Sequence, residues 1–200
     1  IYGILITGGI TAAFLPVFSS YFKHSQESAK RLFKDVFLIF FLALFFLSFL
    51  FFLISPFLVD LTVPGFNTEQ KQRTVDLMRI MLLSPVILGV SAIFSSVLQY
   101  LDLFFAFALA PIFYNIGILL GILFFYPAFG LTGLAWGVVL GALLHLAVQL
   151  FAALKAGFAP AFSLVLREKA GLLKIFRLMV PRVISSGAFQ INLIVITAIA

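Results

Sequence analysis

Between Asp35 and Asp60 the chain reads DVFLIFFLALFFLSFLFFLISPFLVD, a run that carries no charge between its two flanking aspartates. The apolar side chains do not keep to one stripe at helical spacing. They fill every face, so this helix belongs either deep in a large core or in lipid. Length decides between the two, because residues 36–59 exceed the roughly 20 residues that carry a helix across a hydrocarbon core. The rest of the chain points the same way. Of its 200 residues 64% are hydrophobic and 10% charged, too few polar groups to cover a water-exposed surface. The expected fold class is all-α, a polytopic transmembrane helix bundle.

Working outward from that run, the same length criterion lays further crossings over residues 1–21, 80–98, 103–125, 131–154 and 178–200, all in a single transmembrane domain. Turn chemistry separates them at Pro64-Gly65-Phe66-Asn67, at Gln99 to Asp102, and at Tyr126-Pro127 followed by Gly130. Residues 158–174 mix glycine and proline with apolar and charged side chains, which suits an amphipathic segment lying in the membrane interface. The first and last crossings begin and end inside apolar sequence, so the chain is expected to be a piece of a longer protein. No soluble domain and no internal repeat is visible.

The net charge of +6 raises the question of nucleic acid, but the basic residues sit beside apolar spans, where anionic lipid headgroups account for them. Membrane lipids are the expected partner and nucleic acid is not. Nine of the thirteen Lys and Arg fall in two connections: Lys23, Lys30, Arg31 and Lys34 in one, and Lys155, Arg167, Lys169, Lys174 and Arg177 in the other. Lys71, Arg73 and Arg79 fall on the opposite side. The positive-inside rule makes the first set cytoplasmic, so the first crossing runs from outside to inside. The lack of cysteine excludes disulfides and thiolate metal sites. The hydrolase and P-loop motifs are missing, histidine occurs only at His24 and His145, and Asp35, Asp60, Asp76 and Asp102 lie near span ends where water can solvate them. No enzyme activity, catalytic residue, cofactor or metal is expected.

Gly133, Gly137 and Gly141 recur at i, i+4, the spacing of a close-packing helix face, and His145 and Gln149 continue that ridge as candidate hydrogen-bond partners between helices. Gly117 and Gly121 form a second, weaker pair. Pro16, Pro85, Pro111 and Pro181 loosen their helices, as static kinks or as bends of a moving transporter. In the last crossing Arg182, Ser185, Ser186, Gln190, Asn192 and Thr197 share one half of the helical wheel. Polar groups in lipid are costly unless they face a wet or protein interior, so this face is expected to line a hydrated cavity, joined by Asn115, Thr7 and Thr11. For Arg182 a snorkelling side chain is the alternative reading.

Five stretches carry a family resemblance in chain order. They are Gly8-Gly9-Ile10-Thr11-Ala12-Ala13-Phe14-Leu15-Pro16-Val17-Phe18, Val63-Pro64-Gly65-Phe66, Ala110-Pro111 with Asn115, Ala135-Trp136-Gly137 through Gly141 and Gln149, and Leu178-Met179-Val180-Pro181-Arg182 followed by Gln190-Ile191-Asn192. Together they resemble the MurJ/MviN lipid II flippases of the multidrug/oligosaccharidyl-lipid/polysaccharide exporter superfamily. Many members carry an arginine pair where this chain has Tyr2 and Gly3, and a further basic residue where it has Leu103. The resemblance implies about helices two to seven of one lobe of a two-lobed flippase in the bacterial inner membrane. Gly8 and Gly9 would pack helices, and the cargo would be a lipid-linked peptidoglycan precursor moved by alternating access. A polysaccharide or O-antigen lipid flippase, and a non-transporting membrane scaffold, are the alternatives. The sequence carries no signal of oligomeric state.

Overall fold

The computed structural model describes residues 10–163 and 165–199, with side chains inside the last helix described as far as Ser185. Helix α1 (Thr11–His24) leads through Ser25 into α2 (Gln26–Thr62), and α3 (Thr68–Met81) is followed almost at once by α4 (Leu83–Tyr100). Helix α5 (Phe104–Leu120) runs through a π-helical turn, Gly121–Phe125, into the short α6 (Tyr126–Phe129). Then come α7 (Leu131–Lys155) and α8 (Lys169–Ile199). Among the described residues four helical stretches are long and apolar enough to cross a membrane: Gln26–Thr62, Thr68–Tyr100, Phe104–Phe129 and Leu131–Lys155. Large apolar side chains that a water-soluble core would bury stay exposed along α2, among them Phe45, Phe46, Phe49, Leu53 and Phe57. That is the pattern of a helix facing lipid.

Helix boundaries depart from the apolar runs where local chemistry extends or breaks a helix. The polar stretch TEQKQRTVDLMRIM is helical as α3, although too few of its residues are apolar to read as a crossing. Asn67 accepts from the Gln70 backbone N–H at 2.9 Å while the Gln70 side chain accepts from the Asn67 N–H at 3.0 Å, a reciprocal cap that starts the helix. The break between α3 and α4 falls at Leu82, directly after Met81, whose carbonyl can receive no N–H from Pro85 four residues on. The fourth crossing continues to Phe129 instead of stopping at Phe125, because the π turn absorbs an extra residue and the Tyr126 N–H reaches the Gly121 carbonyl.

The core is aromatic. Phe14 and Phe18 of α1, Phe33 of α2, Phe94 of α4 and Phe158 are all fully buried, with Phe18–Phe158, Phe33–Phe94 and Phe33–Phe158 ring centroids 5.6, 5.4 and 5.7 Å apart. Phe158 arrives there through the end of α7. Gly157 adopts φ +83°, the Gly157 N–H bonds to the Leu154 carbonyl and the Phe158 N–H to the Ala153 carbonyl, so the chain doubles back and drives Phe158 inward. Of the segment 158–174 expected to lie in the interface, residues 158–163 and 165–168 are non-helical and residues from Lys169 on belong to α8; Phe162 and Val165 are exposed, and the Phe162 ring meets Phe37 at 5.4 Å and Phe41 at 5.5 Å.

One expectation is overturned. Asp35 is buried, not solvated: its carboxylate accepts the backbone N–H groups of Arg167 at 2.8 Å and Glu168 at 2.7 Å, immediately before α8 begins. An acidic group at that place satisfies two donors that the helix leaves open and meets the positive end of its dipole. Arg31 pairs with Glu168 at 3.4 Å beside it. These contacts put the two lysine- and arginine-rich connections at one end of the bundle, and the Pro64-Gly65 turn lies at the other end of α2. A green fluorescent protein fused after Lys30 is expected to fluoresce and an alkaline phosphatase fused there to be inactive, with both results reversed after Phe66; phosphatase activity after Lys30 would invert the orientation.

Candidate functional site

On α4 the segment SAIFSS places Ser91 and Ser95 one helical turn apart, and on α7 His145 and Gln149 stand at the same spacing. The two helices pack so that these pairs meet. Ser91 Oγ lies 2.8 Å from His145 Nδ1 and donates to Gln149 Oε1 at 3.1 Å, while Ser95 Oγ donates to the same oxygen at 2.7 Å. Ser91 is fully buried, and Gln149 is 1% exposed with its Nε2 lacking any partner. Such a ladder favours one register of the two helices, because each member finds its partner on the facing helix only when they are so aligned.

The ladder ends on an open cavity of about 770 Å³ lined from α2, α3, α4, α5 and α7, with His145 and Tyr114 on its wall. Tyr114 stands edge-on to the imidazole, with ring centroids 6.4 Å apart. The walls are otherwise mostly apolar, from Val59, Leu77, Met78, Leu88 and Val138, and no Asp, Glu, Lys or Arg lines them among the described residues. Ser84, buried and with its hydroxyl unpartnered, lies on the same wall. Thr62, next to the turn after α2, places the cavity in the half of the bundle away from the basic connections.

The cavity's α5 and α7 walls are held together by glycine against glycine. A Cβ on Gly137 would stand 2.6 Å from Gly121 Cα, one on Gly117 would overlap the Gly141 backbone, and one on Gly133 would overlap the Phe125 carbonyl. With no side chain between them, the two backbones approach as closely as helices can.

Other residues singled out from the sequence are distributed differently. Asn115 is exposed on α5, donates its amide to the Pro111 carbonyl at 2.9 Å, and is not among the residues lining this cavity. Thr11 opens α1 and is partly buried. Arg182 and Ser185 are exposed on α8. The side chains of Ser186, Gln190, Asn192 and Thr197 lie outside the described residues, as do Thr7, Gly8 and Gly9 altogether. Sequence reasoning missed Ser91, Ser95 and Tyr114. The signal available was the i, i+4 serine spacing inside an apolar crossing, matched by His145 and Gln149 on another helix. Among the described residues no group of three His, Cys, Asp or Glu is placed to hold a metal ion.

Lipid-facing apolar helices, a glycine-sealed helix pair and a cavity lined from five helices define a polytopic helical membrane protein. The family model described as lipid II flippase MurJ matches residues 1–200, and the chain belongs to that family. Similar proteins include one from Rhizobium tropici named "Probable lipid II flippase MurJ", 31% identical over 96% of this chain and 38% of its own length. Proteins of the same name from Buchnera aphidicola of Acyrthosiphon pisum and from Borreliella burgdorferi are 32% and 30% identical, over 97% and 84% of this chain. The chain thus spans less than two fifths of the length of these relatives, 38%, 39% and 33% respectively.

Proposed function

We propose that this chain forms about helices two to seven of a flippase that carries the undecaprenyl-pyrophosphate-linked peptidoglycan precursor, lipid II, across the bacterial cytoplasmic membrane by alternating access. The observation that carries the reading is the family match along the whole chain, together with relatives that bear the lipid II flippase name. The fold supports it physically. A bundle built of proline-interrupted helices around a cavity suits a lobe that rocks as a unit, since each break is a place where a helix can bend without losing its packing.

Within this reading the polar face of α8, from Arg182 and Ser185 through Ser186, Gln190 and Asn192, lines the path of the headgroup, with Thr7, Thr11 and Asn115 contributing from other helices. Arg182 is the residue suited to the pyrophosphate, because a guanidinium can give two parallel charge-assisted hydrogen bonds. The test is growth of a strain depleted of its own lipid II flippase and supplied with the full-length protein. Growth is expected with the unaltered protein, and loss of growth with both Arg182→Ala and Arg182→Lys at equal protein levels. Full growth with Arg182→Ala would remove the residue from the site, and failure of the unaltered protein would overturn the cargo.

A further inference from the structure

The hydrogen count at Ser91 has a consequence for His145. One hydroxyl hydrogen stands between two acceptor positions, Gln149 Oε1 at 3.1 Å and His145 Nδ1 at 2.8 Å, and Ser95 already gives its own hydrogen to Gln149 Oε1. If Ser91 donates to Gln149, Nδ1 must itself carry a hydrogen and donate to Ser91 Oγ. The ladder is then complete from the imidazole to the amide oxygen. The imidazole's second nitrogen, Nε2, is left with a bare lone pair on a ring that lines the cavity. In two other arrangements Ser91 donates to a bare Nδ1, with Gln149 Oε1 accepting from Ser95 alone or with the amide turned over so that its nitrogen donates to both serines. Only the first leaves the bare nitrogen outside the ladder, so that a second proton can be taken up there without rearranging any of its hydrogen bonds.

We propose that His145 is a proton-binding site of the cavity. Its Nε2 takes a proton delivered as hydronium from the side of the Pro64-Gly65 turn and releases neutral water, while the Nδ1–Ser91–Gln149 ladder holds the ring in place between α4 and α7. Three observations bear on this. An ionisable side chain in mid-membrane is retained at a cost that a merely packed residue would not require. The imidazole is the one basic group on the cavity wall: Tyr114 on α5 is the other titratable group there, and α2, α3 and α4 contribute none among the described residues. Gln149 Nε2 and Ser84 Oγ are buried without partners, so the ladder and its wall hold unused hydrogen-bonding capacity with which to adjust to a new charge.

The experiment is histidine-selective ¹⁵N NMR of the full-length protein in micelles, with the His145 resonances assigned by their loss in His145→Gln. At alkaline pH the expected state is a protonated Nδ1 and a bare Nε2. Acidification from about pH 8 down to about pH 4 should convert Nε2 to the protonated form. In Ser91→Ala, which removes the acceptor for Nδ1–H, the bare nitrogen should switch to Nδ1. A bare Nδ1 in the unaltered protein, an Nε2 unchanged across that range, or an Nε2 unaffected by Ser91→Ala would each overturn the proposal. Should His145→Gln fail to fold, carbethoxylation of the unaltered protein gives the answer by peptide mass. The rate at His145 should fall about tenfold for each pH unit below the midpoint, and a rate independent of pH would overturn the site. Neither measurement depends on the cargo.

Discussion

Gly137→Leu is expected to leave little extractable folded protein, and Gly137→Ala to lower both yield and thermal stability. The first Cβ already meets Gly121 Cα at 2.6 Å, well inside van der Waals contact, so even alanine forces α5 and α7 apart. Overpacking of this kind costs about 1–3 kcal/mol in a core whose side chains can shift, and here the obstacle is backbone on both sides. Leucine adds three more carbons in the same direction and would also separate the glycines at 117 and 141, since the two helices move as rods. Fluorescence-detected size-exclusion chromatography of the detergent-extracted full-length protein reads the yield, and a melting curve reads the remainder. Gly65→Ala is the control, with nothing within 4 Å of the added carbon, and should match the unaltered protein. A normal yield and melting curve for Gly137→Leu would show that the glycine seam is not needed for assembly.

Asp35→Ala is expected to be the next most damaging change. It strips two backbone N–H groups, at Arg167 and Glu168, of their common acceptor in a buried place, at a cost of about 2 kcal/mol or more. Asp35→Asn keeps one acceptor oxygen and loses the charge that faces the helix dipole, so it should fall between. The measurement is amide hydrogen exchange over residues 165–175. Protection there should drop in Asp35→Ala while that of α5 and α7 holds, and unchanged protection would refute the anchoring role. Asp60→Ala is the useful comparison, because the Asp60 carboxylate is 62% exposed and its 2.9 Å pair with Lys71 is solvated, an arrangement that contributes little.

The apolar runs made the membrane fold legible, since periodicity and length are what lipid selects. Helix α3 was not legible as part of a crossing, because its polar composition is that of a loop and its helicity comes from the Asn67–Gln70 cap and from packing on α2 and α7. There Arg79 donates to Ser55 Oγ at 3.1 Å and lies over the Phe52 ring. Asp35 was misread for a related reason. Its position in the sequence marks the end of a span, but its partner lies 132 residues away, and no local pattern shows that. The glycine ridge of α7 was visible as a spacing, whereas its opposite number needed the fold. Gly121 faces Gly137 only because the π turn follows it and α6 returns the chain at Gly130, where φ is +59°. For the polar ladder, half was legible: His145 and Gln149 stood out on a glycine-rich ridge, while Ser91 and Ser95 are ordinary residues until α4 is laid against α7.

The separation in sequence of these two fastenings also sets an order in time. Helices α5 and α7 are consecutive apart from a π turn and a four-residue helix, so closing them together costs little chain entropy, and the glycine seam can zip as soon as both helices have left the insertion machinery. Asp35 must wait for residues 167 and 168, which are made only after α7 is complete. A lesion in the seam therefore strikes during synthesis, exposing an unpaired helix to quality-control proteases, and lowers abundance. A lesion at Asp35 strikes a finished bundle, which then opens at one end in sub-global excursions and ages faster after purification.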